Sequence, residues 1–226
     1  FLNIIPVFRK EIAKYNANDL TPIGSLSTVA FVLVVHPSLP AKTVKEFVTL
    51  AKKQRDPLIY AAPSGVGLPT LIMEQLKIKT KIDLTQITYT GNLAPMTDLI
   101  TGRVMAMYQG IPLATNAVRE NKLRALAVSR KHRSKLLPNV PTMAESGFAD
   151  FDEYSYFALF APKGATEETV TYLNAQLVKT LRDPAVLEKL NSLGMEIQSS
   201  TAPQLQNLIQ QKNLHYKKLA NLMGVL

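Results

Sequence analysis

Leu58-Ile59-Tyr60-Ala61-Ala62-Pro63-Ser64-Gly65-Val66-Gly67-Leu68-Pro69-Thr70 reads as a strand, a loop and the start of a helix. Residues 58–62 are apolar without alternation, the texture of a short strand buried on both faces. The Pro-Ser-Gly-Val-Gly run cannot continue a strand and marks a turn. Leu71, Met73 and Leu76 then fall on one helical face and stop at the Lys-rich stretch Lys77–Lys81. The same order recurs on both sides of this segment. Further apolar runs at 31–35, 86–89, 104–108, 123–128 and 157–161 have strand length. Amphipathic stretches lie between several of them: Thr43-x-x-Glu46 opens one with a capping box, and Pro95 to Ile100 makes a short helix ending at Gly102. Val170, Leu173, Leu177 and Leu181 form a stripe, Asp183-Pro184 opens a helix that ends before Gly194, and Thr201-x-x-Gln204 opens the last. Alternation of this kind predicts an α/β fold with mainly parallel sheet.

The chain has 226 residues, enough for one large or two small cores. It is 46% hydrophobic and 19% charged, which is ordinary for a globular protein, and no apolar run approaches the roughly 18 residues of a membrane-spanning helix. There is no cysteine, which removes disulfides, thiolate metal sites and a cysteine nucleophile, and fits an oxidising compartment. The net charge of +9 favours anionic partners. Much of it lies between Arg119 and Lys135, which holds seven Lys or Arg and the single acid Glu120, and is sharpest at Arg130-Lys131-His132-Arg133-Ser134-Lys135. No aromatic residues interleave this run, so it reads as a solvated loop with no specific nucleic-acid binding.

Ligands in open α/β sheets bind where strands end and helices begin. Three segments occupy such places. The loop of Ser64, Gly65, Val66 and Gly67, with Thr70 in the following helix, can turn backbone N–H groups and the positive end of a helix toward a carboxylate or phosphate. Tyr89, Thr90 and Gly91, followed by Asn92, repeat that arrangement after another strand, so the two loops can hold one anion between them. Gln109, after the apolar run 104–108, can donate to a ligand oxygen. Tyr156 and Phe157 are expected at a return crossing between domains, where aromatics can cover a ligand. Enzyme readings find no support. The histidines are His36, His132 and His215, none in a Gly loop and none in a metal-binding spacing, and no G-x-S-x-G elbow occurs. No catalytic residue, metal or cofactor is expected.

Longer strings carry a family resemblance. Leu33-Val34-Val35-His36-Pro37-Ser38-Leu39-Pro40-Ala41-Lys42-Thr43-Val44-Lys45-Glu46-Phe47 resembles the extracytoplasmic solute-binding receptors of tripartite tricarboxylate transporters, the Bug-type proteins. So do Tyr89-Thr90-Gly91 with Thr97-Asp98-Leu99, Lys122 to Ser129, Leu137 to Gly147, and Ala161 to Thr166. The resemblance runs nearly end to end. It departs at the Gly loop, where Thr70 stands at a position usually held by His, and Ser64 and Val66 occupy the family's glycine positions.

The resemblance implies a bilobal fold of the periplasmic binding protein type II kind, with a cleft that closes on a carboxylate-bearing solute. It implies a periplasmic location, a membrane permease as partner and a monomeric receptor without enzymatic activity. It begins inside the family's first lobe, which implies a first lobe incomplete at its N-terminus by roughly 70 residues, about half a lobe. Residues 32–152 would form the second lobe, and 1–31 with 153–226 what remains of the first. Two alternatives stay open: the effector-binding module of a LysR-type transcription regulator, which shares the fold, and a degenerate copy that binds nothing.

Overall fold

The computed structural model describes residues 2–14, 17–63 and 65–225. The chain divides into two compact units, one of residues 30–154 and one of residues 1–29 with 155–226. Strand β1 (Leu20–Val35) starts in the second of these and ends in the first.

In the 30–154 unit, β1 is joined by β2 (Leu58–Ala62), β3 (Leu84–Thr88), β4 (Ala106–Gly110) and β5 (Arg124–Val128) in the order β3-β2-β4-β1-β5. Four helices connect them: α2 (Val44–Lys53), α3 (Leu68–Thr80), α4 (Leu93–Ile100) and α5 (Ile111–Arg119). Strand β2 runs parallel to β3 and β4, whereas β1 is antiparallel to β4 and β5. The sheet is therefore mixed, and the expectation of a mainly parallel one holds only for its β3-β2-β4 half. One face carries Val32, Val34, Ala61 and Met107 under Leu99 of α4 and Ile111, Ala114 and Ala117 of α5. Val34 pairs with Met107 and Val32 with Gln109, so Gln109 lies on this same face. The opposite face carries Tyr60, whose hydroxyl lies 2.6 Å from Glu74 Oε1 on α3 and 2.6 Å from Gln86 Oε1 on β3. Burial holds the Tyr60 phenol protonated well above its usual range, with Glu74 adding to the shift.

Strand β1 also pairs with β6 (Tyr154–Pro162) and, at Ser27 and Thr28, with β7 (Glu196–Ile197). The helices of the second unit are α1 (Ile5–Phe8), α6 (Glu167–Thr180), α7 (Pro184–Ser192) and α8 (Ala202–Leu222). Leu205, Ile209, Tyr216 and Leu219 form the buried stripe of α8. Gly24 on β1 is required by packing: a Cβ there would stand 2.6 Å from Asn174 Nδ2 and 2.6 Å from the Ser200 carbonyl oxygen.

Several boundaries differ from the sequence expectation. Strand β1 begins at Leu20 and not near residue 31, because Ser25, Ser27 and Thr28 are buried polar residues that break the apolar run. Ser25 donates its backbone N–H to Ser200 Oγ at 3.0 Å, which meets the cost of that burial. Helix α4 opens at Leu93, two residues before Pro95, and α5 was not expected at all.

Candidate functional site at the strand ends of one unit

Helices α3, α4 and α5 follow directly on β2, β3 and β4. These strands are parallel where they pair, so the three helices open at the same edge of the sheet. From β2 the chain passes through α3 to β3 on one side, and from β4 through α5 to β5 on the other. The boundary between β2 and β4 is thus a topological switch point, where loops leaving adjacent strands part and leave a crevice.

The helix starts at this edge differ from those of α2, α6, α7 and α8. Thr43, Thr166, Asp183 and Thr201 cap α2, α6, α7 and α8 with side-chain oxygens, and Thr201 and Gln204 form a full capping box. Helices α3, α4 and α5 begin at Gly67, Asn92 and Gly110, and none of the three has a side-chain cap. Each helix leaves its first N–H groups without partners inside the helix, and capping is the usual remedy. Three starts without side-chain caps at one edge bring helix-terminal N–H groups and positive helix ends together in one place.

The sequence-selected residues distribute as follows. Ser64 lies outside the described residues. Gly65 is exposed, and a Cβ on it would meet Thr88 Cγ2 at 3.6 Å, so the first loop abuts the end of β3. Val66 is half-buried, Gly67 is buried as the first residue of the α3 start, and Thr70 is buried within α3. The second loop leans on the first: Tyr89 N–H donates to the Ala62 carbonyl at 2.9 Å and Gly91 N–H to the Pro63 carbonyl at 3.1 Å. Two expectations change here. The Gly91 N–H is used within the protein, so the donors this loop offers come from the opening turn of α4. The Tyr89 side chain points back, donating to Asp98 Oδ2 of α4 at 2.8 Å, and it anchors the loop. Thr90 is exposed beside them.

Gln109 is buried at the end of β4, only 2% exposed. Its Oε1 accepts the Gly110 N–H at 2.8 Å, and its Nε2 has no hydrogen-bond partner among the described residues. Tyr156 belongs to the other unit, where its hydroxyl donates to Asn3 Oδ1. Asn3 Nδ2 in turn donates to the Ile209 carbonyl at 3.2 Å and to Asn213 Oδ1 at 2.7 Å, so Tyr156 is built into the packing of α8. Phe157, its strand neighbour, is 45% exposed.

The sequence reading did not single out the first turn of α5 as a helix start. Gly110-Ile111-Pro112 carried the signal, since proline is favoured at a helix start. Leu93 and Leu113, in the opening turns of α4 and α5, are 85% and 55% exposed and give this edge apolar surface beside its donors. The basic cluster turns partly inward. Arg130 pairs with Asp152 at 3.2 Å and stacks on Tyr154 at 3.9 Å from the ring centroid, and Arg133 Nε donates to both Glu145 oxygens at 3.0 and 3.1 Å.

A mixed α/β sheet whose strands lead into helices at a topological switch point is the architecture in which open α/β folds place their ligand crevices. The chain belongs to the tripartite tricarboxylate transporter receptor family, whose model matches residues 2–225. It is 29% identical over 191 residues to BugT of Bordetella pertussis, an alignment covering 84% of this chain and 59% of BugT. Among solved structures it is similar to an R. palustris protein with adipate (26% identity, TM-score 0.84, 98% of this chain and 73% of that one). It is also similar to MatC from Rhodopseudomonas palustris with bound malate (25% identity, TM-score 0.79, 95% and 74%). The fold is that of these binding proteins. The chain spans less than two thirds of the length of BugT.

Proposed function

We propose that this chain binds a small carboxylate-bearing solute at the strand-end edge of the 30–154 unit, and serves as a periplasmic receptor that hands the solute to a transporter permease. The observation that carries the reading is the clustering of uncapped helix starts at Gly67, Asn92 and Gly110, while the helices elsewhere with comparable length carry side-chain caps. A carboxylate placed there accepts several backbone N–H groups at once and meets the positive ends of the helices. The loops 65–70 and 89–92, with Ser64, supply the first contact, Gln109 a side-chain donor, and Leu93 and Leu113 apolar surface for the solute's carbon chain. The family supplies the delivery step and the compartment, and adipate and malate in the two related structures supply the ligand class. Nothing in this chemistry calls for bond making, so the site is read as binding without catalysis, by a protein acting as a monomer and without a cofactor. Tyr156 is assigned to the other unit's packing.

Calorimetric titration of the chain with malate, adipate, glutarate and acetate tests this. Saturable heats with at least one diacid are expected. Absence of binding by every acid overturns the reading and favours a copy that has lost its ligand.

A further inference from the structure

A glutamine side chain can present either its oxygen or its nitrogen, and elsewhere the choice is made by whatever approaches. At Gln109 it is already made. Oε1 is held by the Gly110 N–H, 2.8 Å away at the start of α5. Turning the amide over would set its NH2 against that N–H, donor to donor, on a residue with 2% exposure. Nε2 is therefore fixed about 2.2 Å from Oε1 by bond lengths and trigonal geometry, and so lies at the α5 start itself. It is a buried donor with no partner among the described residues. A group of this kind costs stability unless something accepts from it. Its place is the switch point: Pro63 and Gln109 each lie three residues beyond the pairing of Tyr60 with Ala106, and neighbouring strands are about 4.8 Å apart.

We propose that Gln109 is a specificity-determining residue that presents a locked donor to the second functional group of the solute. The group it accepts is an oxygen acceptor, above all a second carboxylate, and the group it rejects is an ammonium, which would set donor against donor. The solute is accordingly one whose second functional group is an oxygen acceptor. This rests on the carboxylate site proposed above and adds to it a rule for the solute's other end.

The test pairs each diacid with the ω-amino acid of the same methylene count: succinate with β-alanine, glutarate with 4-aminobutyrate, adipate with 5-aminopentanoate. Each is titrated calorimetrically into the chain and into Gln109→Met and Gln109→Glu, with melting temperatures measured alongside. The wild-type chain is expected to favour the best-bound diacid over its partner by about tenfold or more, the usual weight of one hydrogen bond to a charged group. Gln109→Met, similar in length but without a donor, should bring that ratio toward one. Gln109→Glu should shift it toward the amino acid. The ratio is read within a single protein, so partial unfolding of a variant does not alter it, and the wild-type ratio decides even if a variant fails to fold. A wild-type chain that binds an ω-amino acid as tightly as its diacid overturns the inference and leaves the carboxylate site standing. So does a folded Gln109→Met with an unchanged ratio. Failure of every acid to bind the wild-type chain removes both.

Discussion

Gly91 sits at φ +86°, in the left-handed region, and a Cβ placed on it would meet nothing within 4 Å. Its constraint is conformational, not one of space. A β-branched residue at that φ is a strong outlier, costing about 1–2 kcal/mol or more. Gly91→Val should therefore swing the turn off its hydrogen bond to Pro63 and displace the α4 start, lowering diacid affinity by about tenfold while the fold persists. Unchanged affinity in a variant of normal melting temperature would place the ligand away from this loop. The turn's position was legible in the sequence as Tyr-Thr-Gly before a helix. The commitment of the Gly91 N–H to Pro63 and of the Tyr89 hydroxyl to Asp98 was not, because both partners are set by how β2, β3 and α4 come together. Glu145 offers a second residue-scale test. Its hydrogen bond from Arg133 holds the carboxyl below its ordinary range, and a further bond from the Thr142 backbone N–H, 2.7 Å long, acts in the same direction. A carboxyl with a lowered folded-state pKa adds stability that is present above its ordinary value near pH 4.5 and is lost as pH falls through the folded value. Glu145→Gln should remove that part of the acid limb in a melting-temperature profile and leave the neutral-pH limb flat. An acid limb that matches wild type would show the pair to be without thermodynamic effect.

At the scale of elements, the contrast between capped and uncapped helices sets stability against binding. Gly67 precedes α3 with φ −118° and ψ 163°, a conformation any residue adopts. Gly67→Ser supplies the missing cap and is expected to stabilise by a few tenths of a kcal/mol, as serine exceeds glycine at this position only slightly. Its hydroxyl would occupy N–H groups that the solute is proposed to use, so diacid affinity should fall while the melting temperature holds or rises. A variant that is more stable and binds as well as wild type would argue against the α3 start as part of the site. The capped helices were readable from Thr43, Asp183 and Thr201, because a cap is a local pattern. Helix α5 and the first half of β1 were not. Gln109 and Thr115 on either side of the α5 start and Ser25, Ser27 and Thr28 on β1 are polar residues buried by long-range pairing, which no local hydrophobic period records.

For the molecule as a whole, the chain passes between its two units at Val29–Ala30 and again at Tyr154–Ser155. Both passages are fastened within the 30–154 unit to one residue, Ser129. Its Oγ accepts the Phe31 N–H at 3.0 Å and donates to the Glu153 carbonyl at 2.5 Å. Its backbone N–H donates to the Phe31 carbonyl at 2.8 Å, and its carbonyl accepts the Glu153 N–H at 2.8 Å. Ser129 is fully buried, so water cannot replace these partners if the hydroxyl is lost. Arg130 beside it, paired with Asp152 and stacked on Tyr154, holds the same end of the second passage. The Ala-Val-Ser string that belongs to the family resemblance thus ends on the residue that fixes both passages at one point. Ser129→Ala keeps the backbone bonds but strands a buried N–H at Phe31 and weakens the satisfaction of the Glu153 carbonyl. Leaving buried groups unpaired costs about 1–3 kcal/mol each, so a loss of about 2–4 kcal/mol is expected, seen as a clear fall in chemical-denaturation midpoint. Ser129→Thr preserves the hydroxyl and should recover part of the loss, to the extent that the added methyl fits. Because the hydroxyl's hydrogen bonds go to the two passages, hydrogen exchange should quicken first at the Phe31 and Glu153 amides and spare the β2 and β3 amides. Uniform quickening across the 30–154 unit, or no loss of stability in Ser129→Ala, would show that the fastening at Ser129 is not what holds these passages.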